Sequence, residues 1–240
     1  LGFGVNGDQI TVPSWRSDVE GECDLAEEIA RIYGYNNIPV TSLRGESQGS
    51  LSESQKLERT IHQVLSALGG REIITYSFMS PKAYDKINLP EDSTLRNSVV
   101  ISNPLGEDTS VMRTTALPSM LEILSYNYNN RNPKASLYEI ATEYLPTTPG
   151  QLPNEPRRVM LGQYGEGHSF YTVKGMLETL LNQLDITGLE LSAKTDDPSF
   201  HPGRCAVLSI EGAECGIIGE VHPAVLENYG IGTRAWVASI

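Results

Sequence analysis

Cysteine is scarce: three in 240 residues, Cys23, Cys205 and Cys215, with no C-x-x-C spacing. That excludes a disulfide framework and suits a reducing compartment, the cytoplasm. Histidine is scarce too, four in all, and with the cysteines scattered no zinc site is expected. Two of the four stand in His-Pro pairs, His201-Pro202 and His222-Pro223, where a turn residue with a satisfied ring is a better reading than a metal ligand. No apolar run approaches the length of a membrane span. No basic segment followed by an apolar core opens the chain, so no secretory signal is expected, although Leu1 is not a start methionine and the chain reads as an excised piece. Phosphate loops, nucleophile elbows and H-E-x-x-H pairs are all absent. Positive charge is also short, with 18 Lys and Arg against 30 Asp and Glu, a formal net charge of −12. Such a surface repels phosphate backbones, so a nucleic-acid role has to come through a partner.

What is present is ordinary for a globular protein, 39% hydrophobic and 20% charged residues. Residues 1–40 read as a short strand near Ile10–Pro13, a helix and a break; residues 41–50 (TSLRGESQGS) have linker chemistry. A second unit, 51–240, opens on a capping box, Ser52-x-x-Gln55. Leu57, Ile61, Val64, Leu65 and Leu68 follow at helical spacing, and Gly69-Gly70 stops that helix. Further helices are expected from Leu117 to about Tyr128, with Pro118 in the first turn, and across Phe170–Leu184. Strand character marks Glu72–Phe78, Ser98–Ser102, Ser136–Leu145, Val159–Tyr164, Leu189–Lys194, Cys205–Ile210 and Cys215–Val221, the last two joined as a hairpin. Gly230–Arg234 reads as a turn before one more strand. Consecutive strands with helices inserted between them predict an α+β fold with a largely antiparallel sheet.

The densest chemistry is DVEGECDLAEE, six acids in the eleven residues from Asp18 to Glu28. A helix beginning at Asp24 places Leu25, Ile29, Ile32 and Tyr33 on one stripe. Asp24, Glu27, Glu28 and Arg31 take a different face. The acids can serve the positive end of the helix, with Glu27 paired to Arg31 at i+4 and Gly34 closing the helix. Equally, Asp18, Asp24, Glu27 and Glu28 can converge on a hard divalent cation. Spacing alone favours the cap.

Val12-Pro-Ser-Trp-Arg16, Asp18 and Asp24-Leu-Ala-Glu-Glu-Ile-Ala-Arg-Ile-Tyr-Gly-Tyr35 resemble the bacterial phenylalanine–tRNA ligase β subunit. Met112-Arg113-Thr-Thr-Ala-Leu-Pro118, Leu137-Tyr-Glu139-Ile140, His201-Pro-Gly-Arg204 and Gly216-x-x-Gly219-x-x-His222-Pro223 follow in the family's order, so the match spans essentially the whole chain. The resemblance implies the end of a small domain (1–40) followed by a class II synthetase-like module (51–240). It also implies no catalytic or cofactor-binding residue here. Class II sites place an arginine in R-x-E on the ATP phosphate, and this chain has Leu137-Tyr138-Glu139; a leucine cannot neutralise phosphate charge. Implied too are a catalytic α subunit as partner in an α2β2 assembly, with helix 52–68 contributing to the contact, and tRNA(Phe) reached through that assembly. ATP would be used by α and not bound here. A magnesium ion shared with α would fall on Asp18, Asp24, Glu27 and Glu28, with the cap as a compatible second role. Gly21 and Glu22 stand where the family often has less flexible residues, and Cys23 precedes Asp24. The other function class is a stand-alone class II-like ligand-binding module without ligase activity.

Overall fold

The computed structural model describes residues 1–42, 45, 49–148 and 150–240. Within the expected linker, residues 43, 44 and 46–48 lie outside the described set. The chain divides into two compact units, Leu1–Ser50 and Leu51–Ile240.

The first unit is a hairpin and a helix. Strands β1 (Gly4–Asn6) and β2 (Gln9–Thr11) pair antiparallel, Val5 opposite Ile10, across a turn in which Gly7 takes a left-handed φ of 60°. Helix α1 runs Glu22–Tyr33, with Gly21 as its N-cap and Gly34 at φ 97° beyond its end. The helix thus starts two residues before the expected Asp24. No residue of α1 is buried, and Ile29 and Ile32 of its apolar stripe are each 65% exposed.

In the second unit, α2 (Glu53–Ala67) begins at the expected box: Ser52 Oγ accepts from the Gln55 amide at 3.2 Å and Gln55 Oε1 accepts from the Ser52 amide at 2.9 Å. Gly69, at φ 84°, ends it. Then come β3 (Arg71–Glu72), β4 (Phe78–Met79), α3 (Lys82–Lys86), β5 (Val111–Met112) and α4 (Leu117–Asn129). They are followed by β6 (Lys134–Thr142), β7 (Arg157–Gly165), α5 (Phe170–Gln183) and β8 (Leu189–Ala193). The unit ends with β9 (Phe200–Ile210), β10 (Ala213–Val221), α6 (Pro223–Asn228) and β11 (Ala235–Ser239). A seven-stranded sheet in the order β3-β6-β7-β11-β10-β9-β8 forms its centre. Every pairing in it is antiparallel except β3 with β6.

Alternation along β6 sends Leu137 to one sheet face and Tyr138 to the other. The first face packs on α4 through Met120, Leu121 and Leu124; the second packs on α2 and α5 through Ile61, Leu65, Val173, Leu177 and Leu180. Helix α4 comes so close that a Cβ on Gly162 would stand 2.5 Å from Met120 Sδ. The expected strand over Glu72–Phe78 exists only at its two ends, because Thr75 turns its amide and hydroxyl to Glu139 in place of a strand partner. Of Ser98–Ser102, only Val100 makes a bridge, with Val111.

Candidate functional site

Arg16 organises the acidic stretch. Its Nε and Nη2 donate to Asp18 at 2.9 and 2.7 Å, and Nη2 also donates to Glu28 at 2.8 Å. Arg31 Nη2 donates to the other Glu28 oxygen at 2.7 Å, so the pair along α1 is Glu28–Arg31 at i+3 and not Glu27–Arg31. Asp24 sits at the third position of α1 and reaches back, its Oδ2 accepting from the amides of Gly21 at 2.8 Å and Glu20 at 2.9 Å. Glu27 stands exposed.

The electrostatics follow from these contacts. Hydrogen bonds from Arg16 lower the Asp18 carboxyl to about 2; those from Arg16 and then Arg31 lower Glu28 to about 2. The two backbone donors hold Asp24 below the usual carboxylate range. All three shifts are depressions. Their contribution to stability is therefore complete above the ordinary carboxylate value of about 4; for Asp18 and Glu28 it is lost as pH falls toward 2, and for Asp24 it is lost below its ordinary value. Replacing Arg16 by methionine is expected to return Asp18 and Glu28 toward about 4 and leave Asp24 below it. Carboxyl-carbon NMR titration of wild type and variant checks this; unchanged Asp18 and Glu28 midpoints would reject the clamp.

Hard carboxylate oxygens suit magnesium in chemistry. In position Arg16 brings Asp18 and Glu28 together on one guanidinium, Asp24 caps the helix and Glu27 stands exposed, and among the described residues no group of three or more His, Cys, Asp or Glu is placed to hold a metal ion. The capping use of Asp24 is thus what this arrangement displays.

In the second unit, Leu137 is 4% exposed within the core facing α4, and Glu139 is buried beside it. Glu139 accepts from the Thr75 amide at 3.1 Å and the Thr75 hydroxyl at 2.8 Å, with Arg113 Nη2 at 3.4 Å. Arg113, 2% exposed, also donates to the Thr142 carbonyl at 2.8 Å and Thr75 Oγ1 at 2.6 Å. Tyr138, facing the other way, meets Ser66 Oγ at 2.9 Å. The Leu137-Tyr138-Glu139 stretch of β6 thus carries an apolar core residue at its first position and, at its third, a glutamate tied to a buried arginine.

The remaining motifs are structural as well. His201 Nδ1 accepts from the Gly203 amide and His222 Nδ1 from the Ala224 amide, each at 3.1 Å; His222 caps α6, whereas His201-Pro202 lies within strand β9 and not in the expected turn. Arg204 grips the buried Glu220 with both oxygens at 2.8 and 2.9 Å. A Cβ on Gly219 would lie 2.8 Å from the Phe200 ring, so this glycine permits close strand packing. Sequence reasoning did not assign the Arg16 clamp or the Arg113–Thr75–Glu139 network. A guanidinium two residues from Asp18 was the available signal for the first. For the second there was none, since arginine is rarely fully buried.

The fold of this unit, a mostly antiparallel sheet with helices on both faces, is that of a class II tRNA synthetase domain. Pyrrolysyl-tRNA synthetase from Desulfitobacterium hafniense superposes with a TM-score of 0.65 at 14% identity, covering 91% of this chain and 72% of that one. Residues 38–240 match the family model described as the phenylalanyl tRNA synthetase beta chain CLM domain, and residues 1–35 match the tRNA synthetase B5 domain. The chain belongs to the phenylalanyl-tRNA synthetase β-chain family. The phenylalanine–tRNA ligase β subunit of Clostridium acetobutylicum is 43% identical over 240 residues, 98% of this chain, and that of Clostridium tetani is 44% identical over the same share. The chain spans 30% of the length of either relative.

Proposed function

We propose that this chain is a non-catalytic segment of a phenylalanine–tRNA ligase β subunit. Its role is to assemble with and support a catalytic α subunit that charges tRNA(Phe) in an ATP-dependent reaction within an α2β2 enzyme. The observation that carries the non-catalytic reading is Leu137, buried at 4% exposure at the position where a catalytic class II site places its phosphate-binding arginine. Support for the assembly role comes from α2, which turns Ile61 and Leu65 inward and leaves Leu57 47% exposed.

The test has two arms. The purified chain is expected to show no phenylalanine-dependent pyrophosphate exchange and to co-purify with the α subunit encoded by Clostridium acetobutylicum. Exchange by the chain alone, or failure of the two to associate, would overturn the reading. Magnesium on Asp18, Asp24, Glu27 and Glu28 belongs to the same proposal, as a property of the assembled enzyme. It requires Arg16 to release Asp18 and Glu28, and its support is the hard-oxygen donor set and the family spacing. Asp24→Ala is then expected to weaken magnesium-dependent association beyond the roughly 0.5–2 kcal/mol of a lost cap; association indifferent to magnesium in wild type and variant would remove the metal from the reading.

A further inference from the structure

Between the end of α2, the start of β6 and the first turns of α5 lies a cavity of about 760 Å³, within the range of roughly 300–1,000 Å³ usual for small-molecule sites. Its walls carry Arg71, Lys134 and His168 and no acidic residue, on a chain whose net charge is −12. The second large cavity, beside Tyr76, is lined by Asp108 and Glu122 as well as lysines. Every salt bridge among the described residues leaves Arg71 and Lys134 out. Both are exposed residues at this cavity, and an anion bound there would offset their like charge. Burial first, and Lys134 second, hold the His168 imidazole below its ordinary pKa.

The rest of the lining narrows the anion. Asn132 and the exposed Tyr171 sit at the cavity with hydroxyl-bearing neighbours on α5. The floor includes Gln163, 2% exposed and already satisfied by Ser136 and Thr172, so it shapes the cavity without leaving a polar group orphaned. Amides and hydroxyls match sugar hydroxyl groups, a tyrosine ring can pack on a sugar face, and guanidinium and ammonium groups bind phosphate oxygens. The positive end of α5, at the same rim, favours negative charge further.

From this we propose that the cavity binds a small sugar phosphate, its phosphate on Arg71 and Lys134 and its hydroxyl groups on Asn132 and Tyr171. The site is separate from the Arg113–Glu139 network and from the acidic stretch, and it does not depend on the assembly with an α subunit.

Calorimetric titration of the whole chain tests it with ribose 5-phosphate, free ribose and a single-stranded oligoribonucleotide as probes. Ribose 5-phosphate is expected to bind saturably and free ribose not to. Lys134→Ala and Arg71→Ala, both exposed positions, are each expected to weaken binding roughly tenfold or more, while Lys56→Ala, away from the cavity, changes nothing. Circular dichroism confirms that the variants fold. No saturation by ribose 5-phosphate below about 10 mM, or equal affinity in wild type and the Arg71/Lys134 double variant, would overturn the proposal. So would tight binding of the oligoribonucleotide that ribose 5-phosphate fails to displace, which would assign the cavity to RNA.

Discussion

Arg113→Met is expected to destabilise the Leu51–Ile240 unit by roughly 3–5 kcal/mol, the loss that follows when one partner of a buried ion pair is removed. For a unit of this size that is about 6–20 °C in Tm. Arg113 and Glu139 side chains are 2% and 6% exposed. Thr75 links them, its hydroxyl accepting from Arg113 Nη1 at 2.6 Å and donating to Glu139 at 2.8 Å. Through these contacts one guanidinium joins the irregular segment after β3, strand β6 by way of the Thr142 carbonyl, and the first turn of α4 at Ser119, 3.3 Å away. Methionine fills the volume but leaves the Glu139 carboxylate in the core without its cation.

The double variant Arg113→Met/Glu139→Leu removes the stranded charge as well. It is expected to lie above the single variant by at least about 1 kcal/mol, since residues of one network are not additive. Thermal unfolding of wild type, both singles and the double completes the cycle. A fall of less than about 1 kcal/mol in the Arg113 single would show that the pair is not holding the unit together.

Long, strongly patterned segments were legible in the amino acids. Ser52-x-x-Gln55 announces α2 because both partners of its box are the residue types that make it, whereas Ser169 and Thr172 close an equivalent box on α5 with a less distinctive pair. Helices α3 and α6, five and six residues long, are too short to show a helical period. Strand β1 is exposed throughout, so it carries no alternation between an inner and an outer face. The parallel pairing of β3 with β6 rests on two residues, Arg71 opposite Leu137 and Glu72 opposite Tyr138, a long-range contact that no local pattern encodes.

In the acidic stretch, composition located the cluster, but spacing could not say which carboxylate meets which cation. The helix starts at Glu22 and not Asp24, and that shift moves Asp24 from cap position to the third helical residue. Arg31 then meets Glu28 one turn back. Burial of Arg113 is set by what closes around it in three dimensions, which is why the motif containing it could be seen but not its role.

The second large effect falls on Gly216, one of the two glycines in the Gly216-x-x-Gly219-x-x-His222-Pro223 signature. On β10, Gly216 sits opposite Leu208 of β9, and the next residue, Ile217, pairs with Ser239 of β11. A Cβ there would overlap the Ser239 carbonyl oxygen and stand 2.9 Å from Ile240 Cα. These are backbone atoms, so no rotamer change relieves the overlap. Nor can the Ser239–Ile240 backbone simply withdraw, because Ile240 exchanges two hydrogen bonds with Val159, the Val159 amide to the Ile240 carbonyl at 2.8 Å and the Ile240 amide to the Val159 carbonyl at 3.1 Å. Gly216→Ala must therefore break part of the β10–β11–β7 register, and the expected cost is about 3 kcal/mol, the upper end of the overpacking range. Gly175→Ala supplies the contrast. Nothing lies within 4 Å of a Cβ at that position in α5, and replacing a helix-interior glycine by alanine should stabilise by about 0.5–1 kcal/mol. Chemical denaturation of the two variants separates the explanations: opposite signs place the requirement for glycine in the strand contact, whereas equal and small effects would leave the signature without a packing role.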